Sequence, residues 1–195
     1  MSIHRTAVIA RGAEIGRDNE IGPHVVIESR VRIGNDNRIG PGTIITGSTT
    51  IGEGNIIHGH VYLGNTPQDV SYQGQESRLV IGDHNEFREF ANAHRGTREG
   101  SDTVIGNHNY FMVASHIAHN CRIGNHVFMV NGASLGGYCE VHDHAFLSAY
   151  VIAHQFVRIG DYAICGILTK LTQDVPPFMM VDGNPAVVRG LNVVG

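Results

Sequence analysis

One periodicity dominates the first third of the sequence: an aliphatic residue stands at every sixth position from residue 3 to residue 63. Helices repeat every 3.6 residues and strands every 2, whereas the hexapeptide repeat of a β-helix gives this step, each repeat forming one short strand and its corner. The repeat therefore predicts an all-β parallel β-helix, in one domain over residues 1–195. The aliphatic positions are Ile3, Ile9, Ile15, Ile21, Ile27, Ile33, Ile39, Ile45, Ile51, Ile57 and Leu63.

The same frame returns at residue 81 and runs, with one further break, to Leu171. Two segments interrupt it, residues 65–79 and 95–103. Both are polar and rich in turn-forming residues, so we interpret them as loops that project from the β-helix. Because binding residues are often carried by loops on a rigid scaffold, these two segments are candidates for the functional region.

The composition excludes several classes of protein. A 7% aromatic content and 25 glycines suit stacked aliphatic coils. Cys121, Cys139 and Cys165 lack a CxxC spacing, which predicts reduced core thiols and a cytoplasmic protein. The sequence has no apolar leader and no run of 18 apolar residues, so we expect neither secretion nor a membrane span. A net charge of −4 gives no indication of nucleic-acid binding.

Three clusters of histidine stand out among the 13 in the chain. Most histidines fall in corners rich in Gly, Asn and Asp, where we expect them to be solvated. His94, the pair His116 and His119, and His154 lie instead among apolar residues, where an imidazole needs a specific partner.

Repeat arithmetic predicts which residues meet near His119. Three hexapeptides make one coil of 18 residues, so residues 18 apart should stack about 4.8 Å from each other. This count puts His119 beside Gly137, Gly137 beside Gln155, and Asn120 beside Tyr138. The frame has no insertion between residues 105 and 171, so the count is direct there.

A histidine beside Gly136 and Gly137 is suited to acyl transfer. The imidazole can act as general base, and an uncovered backbone N–H can stabilise an oxyanion. Asn120 would hold the imidazole, and the absence of Ser or Cys at the stacked positions favours direct attack over a covalent intermediate. Two alternatives stay open, a histidine that only packs in a corner and a metal site. The metal alternative rests on the short spacings of His116 with His119 and of His142 with His144, and we expect no metal.

Several further motifs occur in a characteristic order along the whole chain. In this order they resemble the UDP-N-acetylglucosamine O-acyltransferases of lipid A biosynthesis. The resemblance implies a left-handed parallel β-helix, against the usual right-handed crossover, assembled as a cytoplasmic homotrimer with active sites between subunits. The motifs are Ile3–Ala7, Gln68–Asp69 with Tyr72 and Gly74, His94–Thr97, His116–His119, His154–Phe156, Gln173–Pro177 and Gly183–Ala186.

The resemblance also implies an activity and the residues that perform it. A 3-hydroxyacyl group would pass from an acyl carrier protein thioester to the 3-hydroxyl of UDP-N-acetylglucosamine, the first step of lipid A biosynthesis, without a cofactor. His119 would be the general base, with Asn120 beside it, and Gly137 would supply the oxyanion N–H. The residues implied to bind substrate are Gln68, Asp69, His94, His116, His154, Gln155 and Asn192.

The sequence departs from the family at several positions. Ser71, Asn120, Tyr138 and Val194 stand where the family usually has Lys, Asp, His and an acidic residue. The chain also ends at Gly195, where the family continues into a helical domain, so we expect that domain to be absent. These departures keep open an acyl-CoA-dependent acyltransferase acting on another nucleotide sugar or small acceptor, and a non-catalytic relative that binds ligand.

One position concerns the length of the acyl chain. The family measures its acyl tail in a groove between adjacent β-helices, and the matching position here is Ile167, with Leu168 beside it. Bulky side chains at the end of a groove exclude additional methylenes, which predicts a short or medium acyl group. The alternative is that both side chains face the interior of the coil.

Overall fold

The computed structural model describes residues 1–194, whose regular secondary structure consists of 28 β-strands. Most strands are two residues long, as a hexapeptide repeat requires. In chain order they are β1 Ser2–Ile3, β2 Val8–Ile9, β3 Glu14–Ile15, β4 Glu20–Ile21, β5 Val26–Ile27, β6 Arg32–Ile33, β7 Arg38–Ile39, β8 Ile44–Ile45, β9 Ser48–Ile51, β10 Ile56–Ile57, β11 Tyr62–Asn65, β12 Arg78–Ile81, β13 Glu86–Phe87, β14 Asn92–His94, β15 Asp102–Ile105, β16 Tyr110–Phe111, β17 His116–Ile117, β18 Arg122–Ile123, β19 Phe128–Met129, β20 Ser134–Leu135, β21 Glu140–Val141, β22 Phe146–Leu147, β23 Ile152–Ala153, β24 Arg158–Ile159, β25 Ile164–Cys165, β26 Lys170–Leu171, β27 Met179–Asp182 and β28 Val187–Leu191.

Successive strands belong to successive faces of a triangular prism. Sheet A runs from β1 through every third strand to β25 and then adds β27 and β28, sheet B runs from β2 to β26, and sheet C from β3 to β24. Each strand pairs in parallel with the strand of the next coil, except that β28 pairs antiparallel with β27. The fold is the predicted left-handed parallel β-helix.

The residues at every sixth position form the core. From Ile21 to Leu171 these side chains point inward and none is more than 4% exposed. Ile3, in the first coil, is 43% exposed because no further coil covers that end. The hexapeptide frame therefore specifies the core directly, since stacked coils bury the aliphatic side chains of each sheet against one another.

Both insertions leave the β-helix at the corner between sheets B and C, over residues 66–77 and 95–101. The bounds expected from the sequence, 65–79 and 95–103, were too wide, because the flanking residues belong to β11, β12 and β15. Leu79 and Thr103 pair in register with each other and are fully buried in sheet C. The polar sequence around Leu79 concealed a core position.

A ladder of buried asparagines runs along the inside of one corner. Each side-chain oxygen accepts a hydrogen bond from the backbone N–H of the next asparagine, and in most steps also from its side-chain amide. These amides also donate to corner carbonyls, so the turns keep their hydrogen bonds without water. The sequence signal, an asparagine two residues before successive sheet A anchors, was missed. The ladder consists of Asn19, Asn37, Asn55, Asn85 and Asn109, each at most 2% exposed.

Replacing Asn55 with leucine is expected to reduce the free energy of unfolding by about 3 kcal/mol, because several buried hydrogen-bonding groups lose their partner. These groups include the backbone N–H and the side-chain amide of Asn85 and the carbonyl of Gly82. Urea unfolding at equilibrium measures the change. The exposed Asn131→Leu variant is the control and should change the stability by less than about 0.5 kcal/mol; equal effects of the two substitutions would contradict the role of the ladder.

A second column lies on the outside, at the corner between sheets C and A. Its six residues all have positive φ, and their rings stack with centroids 4.5 to 5.3 Å apart. Its histidines occupy corners, as expected, but they are partners in a ring stack rather than isolated solvated side chains. The column consists of His84, His108, His126, His144, Tyr162 and Phe178.

Candidate active site

His119 lies at the corner between sheets B and C, where the chain turns from β17 to β18. The turn is made at Asn120, which has a φ of 60° and donates its backbone N–H to Thr103 Oγ1 at 2.7 Å. The imidazole is only 8% exposed. Both insertions emerge at this same corner in the two preceding coils and enclose the ring.

Two side chains flank the two nitrogens of His119. Nδ1 lies 3.1 Å from Asn120 Oδ1, and Nε2 lies 3.8 Å from Asp69 Oδ2. Asp69 comes from the loop 66–77, and the backbone N–H and hydroxyl of Ser71 both donate to its Oδ1, at 2.8 and 2.7 Å. These hydrogen bonds, and to a lesser degree the nearby His119, lower the pKa of Asp69. Asp69 is therefore a carboxylate at neutral pH, directed at the imidazole.

Gly137 lies directly against the ring of His119, as the repeat arithmetic predicted. The backbone N–H of Tyr138 donates to the His119 carbonyl at 3.0 Å, which confirms the stacking in register. A Cβ placed on Gly137 would lie 2.6 Å from His119 Nε2, so only glycine leaves room for the ring. The backbone N–H of Gly136 donates a hydrogen bond to the Ala153 carbonyl. The backbone N–H of Gly137 makes no hydrogen bond within residues 1–194. Only Gly137 of the pair therefore offers a donor.

A hydrogen-bonded chain that was not predicted lies behind Asn120. The backbone N–H and the hydroxyl of Thr97 both lie 3.0 Å from Asn120 Oδ1, and the Tyr138 hydroxyl lies 3.1 Å from Thr97 Oγ1. The Tyr138 ring meets His119 edge-on, with centroids 5.4 Å apart, and stacks on Phe156. Thr97 belongs to the loop 95–101, and only the Arg-Gly-Thr sequence after His94 could have drawn attention to it.

Two further histidines occupy the neighbouring face of sheet B. His94 and His116 meet edge-on with ring centroids 5.2 Å apart, and His116 Nδ1 lies 2.6 Å from Asn92 Oδ1. Burial lowers the pKa of His94 to about 4 and also lowers the pKa of His116, and mutual repulsion adds to the effect at His94. Both rings are neutral at pH 7, so they offer hydrogen bonds and no positive charge.

Because the pKa of His94 is lowered from 6.5 to about 4, acid is expected to destabilise the protein in that interval. Between these pH values the unfolded chain binds a proton at His94 that the folded chain does not, so stability is lost as pH falls from 6.5 towards 4. Urea midpoints at pH 7.5 and 5 measure the loss, which His94→Gln should reduce. The exposed His24→Gln variant should leave the loss unchanged; a His94→Gln protein that loses as much stability as wild type would contradict the assignment.

The remaining residues expected to bind substrate at this corner are more exposed. Gln68 lines a polar cavity of 520 Å³ together with His94 and Arg95. His154 and Gln155 lie in the coil above Gly137, and both are exposed. The apolar setting predicted for His154 was wrong, because its Nδ1 faces the Gln155 carbonyl at 3.1 Å on the surface.

Asn192 and the residues of the acyl-length prediction lie at the other two corners. Asn192 donates to the Tyr162 carbonyl at 2.8 Å and lines, with Val194, a largely apolar cavity of 470 Å³ at the corner between sheets C and A. Ile167 and Leu168 follow β25 at the corner between sheets A and B, 61% and 66% exposed. They do not face the coil interior, so that alternative is wrong. Gly195, where the family was expected to continue, lies outside the described residues.

Other kinds of site were also considered. In the part of the chain that the structure describes, no three His, Cys, Asp or Glu side chains come together to hold a metal ion. The same residues contain no helix with the length and hydropathy to cross a membrane. Cys121, Cys139 and Cys165 are buried free thiols, as predicted.

Two family profiles match the chain. The profile "Bacterial transferase hexapeptide (six repeats)" matches residues 30–65. The profile "Udp N-acetylglucosamine O-acyltransferase; Domain 2" matches residues 174–195, of which β27 and β28 form the regular part. The matches thus cover one segment of the repeat and the segment that closes the β-helix.

Individual relatives match over nearly the whole chain. The chain is 52% identical to a protein of Paracidovorax citrulli, over 100% of its own length and 74% of the relative's, and 47% identical to one of Halorhodospira halophila, over 99% and 75%. Both are named acyl-[acyl-carrier-protein]–UDP-N-acetylglucosamine O-acyltransferase. A solved UDP-N-acetylglucosamine acyltransferase from Campylobacter jejuni superimposes with a TM-score of 0.95 at 37% identity, over 100% of this chain and 76% of that one. The chain belongs to the UDP-N-acetylglucosamine O-acyltransferase family.

Proposed function

We propose that this protein transfers a 3-hydroxyacyl group from an acyl carrier protein thioester to the 3-hydroxyl of UDP-N-acetylglucosamine, in the cytoplasm and as the first step of lipid A biosynthesis. The observation that carries the proposal is the position of His119, between Asp69 and Asn120 and against Gly137. The names of the close relatives point to the same donor and acceptor.

The proposed reaction uses His119 as general base. Nε2 takes the proton of the acceptor hydroxyl while that oxygen attacks the thioester carbonyl. The Gly137 N–H is free to receive the resulting oxyanion. When the tetrahedral intermediate collapses, the carbon–sulfur bond breaks and the proton held on His119 can pass to the departing thiolate. Asp69 lies near Nε2, where it can stabilise the positive charge that the ring carries between the two steps.

The site is proposed to be completed between the subunits of a homotrimer. His119, Ile167 and Asn192 lie at three different corners of one protomer. The face of sheet B joins the first two, with Ser134 and the exposed Ile152 between them. Asn192 lies at the third corner, beside Tyr162, so an adjacent copy would contribute the nucleotide side of the site.

A short or medium acyl chain is expected, because the exposed Ile167 and Leu168 stand at the end of the sheet B face. Ile167→Gly should move the preferred donor to a longer chain, with a gain of roughly tenfold for a donor that is two methylenes longer. Relative kcat/KM over a series of 3-hydroxyacyl thioesters measures the shift. Ile152→Val is the milder control and should keep the wild-type preference; an unchanged optimum in Ile167→Gly would refute the assignment.

Turnover measured by mass spectrometry tests the proposed function. UDP-N-acetylglucosamine is offered with 3-hydroxyacyl thioesters of several lengths, on acyl carrier protein and on coenzyme A. A 3-O-acylated product from the carrier-protein donor supports the proposal, whereas no product from either donor contradicts it and leaves a relative that binds ligand.

One observation keeps acyl-CoA as a second candidate donor. Ser71 replaces the cation usual in the loop, and both of its donors are used internally by Asp69. Product from coenzyme A alone would select an acyl-CoA-dependent acyltransferase, for which another nucleotide sugar or small acceptor should then be tested.

A further inference from the structure

We propose that Thr97 and Tyr138 are positioning residues that select the reactive tautomer of His119 by fixing the orientation of the Asn120 amide. This inference rests on the proposed function, since it concerns the same general base. It follows from the hydrogen-bonded chain that connects the Tyr138 hydroxyl, Thr97, Asn120 Oδ1 and His119 Nδ1.

A neutral imidazole has one N–H and one basic nitrogen, and its surroundings decide which is which. The reaction needs Nε2 to be basic, so Nδ1 must carry the proton. Asn120 meets Nδ1 at 3.1 Å. Its amide presents an acceptor oxygen in one orientation and a donor NH2 in the other. Only the oxygen can receive the Nδ1 proton, whereas the NH2 would force the proton onto Nε2.

The opposite side of the ring favours the wrong tautomer. The Asp69 carboxylate lies 3.8 Å from Nε2 and attracts a proton to that nitrogen. In many general-base sites a carboxylate on Nδ1 outweighs such competition, but Asn120 is neutral. Its oxygen must therefore be held in place for the Nδ1–H tautomer to prevail.

Thr97 supplies that restraint. A backbone N–H can only donate, so its 3.0 Å contact identifies the facing Asn120 atom as the oxygen. The Thr97 hydroxyl reaches the same oxygen at 3.0 Å. With its single proton given to Asn120, Thr97 Oγ1 accepts from the Tyr138 hydroxyl at 3.1 Å. Tyr138 thus holds the threonine hydroxyl in its donating rotamer.

The hydrogen-bonded chain is built from two buried residues, Thr97 and His119, and two half-buried ones, Asn120 and Tyr138. Thr97 is 5% exposed, and Asn120 is anchored through its own backbone by Thr103. The Tyr138 ring is fixed between the edge of His119 and the face of Phe156. Because these partners are held independently, flipping the amide would leave the N–H of the buried Thr97 facing a donor, which is unfavourable.

The first test reads the tautomer without relying on turnover. Protein labelled with ¹⁵N histidine is examined by NMR, and the His119 resonances are identified by their loss in His119→Gln. Wild type should show a protonated Nδ1 and a basic Nε2. Thr97→Val, which keeps the shape but removes the hydroxyl, should raise the fraction of Nε2–H tautomer. A wild-type ring protonated on Nε2, or a Thr97→Val spectrum like that of wild type, would overturn the proposal.

The second test is kinetic and uses matched variants. Thr97→Val should lower kcat/KM about tenfold, since one hydrogen bond is lost while the backbone donor remains. Tyr138→Phe should cost less, about threefold, and Thr97→Ser should restore most of the wild-type value. A structural role for the threonine methyl group would give the reverse order of Val and Ser.

Asn120→Asp distinguishes the mechanism from general disruption. A carboxylate presents an acceptor in either orientation, so in this background Thr97→Val should lower kcat/KM by no more than about twofold. Equal losses from Thr97→Val in the wild-type and the Asn120→Asp backgrounds would refute the proposal. If wild type turned over no substrate, the proposed function would fail, while the NMR measurement would still decide the tautomer.

Discussion

His119→Gln is expected to lower kcat roughly 1,000-fold, with the β-helix and its unfolding midpoint nearly unchanged. Glutamine occupies a similar volume but cannot accept a proton at neutral pH. His119 lies in a corner and contributes no aliphatic side chain to the core, so its replacement removes the base and little packing. Turnover of UDP-N-acetylglucosamine with the acyl carrier protein thioester measures the loss.

His108→Gln is the matched control for this variant. His108 also lies in a corner of the β-helix, but in the external ring column, at a different corner from His119. Its replacement should leave kcat within about twofold of wild type. Substantial activity in His119→Gln would rule out His119 as the base, and a similar loss in both variants would indicate a general effect of removing corner histidines.

Gly137→Ala is expected to lower kcat about 100-fold, although the backbone N–H proposed to stabilise the oxyanion is retained. The new methyl group would lie 2.6 Å from His119 Nε2 and closer still to Cε1, so the ring must move away. Both the base and its alignment with the N–H would then be displaced. The φ of Gly137 lies outside the left-handed region, so backbone strain contributes little and unfolding should change modestly.

The control for Gly137→Ala is Gly190→Ala. A Cβ at Gly190 meets only Met180 Cε at 3.7 Å, an ordinary van der Waals contact. This variant should keep its activity to within about twofold. A fully active Gly137→Ala protein would show that His119 does not need the position seen in the structure. That result would contradict the proposed arrangement of the base and the oxyanion donor.

The stacking at the active-site corner was predictable because the repeat has a constant length. A residue pairs with the residue 18 positions later, and hydrogen bonds at this separation occur along the chain. Counting alone therefore placed Gly137 against His119 and Tyr138 beside Asn120. The same counting did not predict Asp69 or Thr97, since both lie in insertions where the repeat no longer specifies position.

The insertions also explain why their boundaries were misjudged. Leu79 stands among polar residues, yet it fills a core position because β12 is held between β9 and β15. The residues around Leu79 are polar because they belong to the adjacent loop. Leu79 itself is buried because its strand pairs with strands of two other coils. Local composition describes only the first of these effects.

By itself the sequence determined the β-helix, its coil length, the core side chains at every sixth position and the vertical neighbours of His119. These follow from a strict period, since every residue in the repeat has the same relation to the coils above and below it. Only the tertiary structure decided that Asp69 approaches Nε2 of His119, that Thr97 holds Asn120 beside Nδ1, and that Asn192 lies at another corner. Asp69 and Thr97 lie in insertions and Asn192 follows the last hexapeptide, so the repeat does not specify their positions, which depend on how these segments pack against the coils.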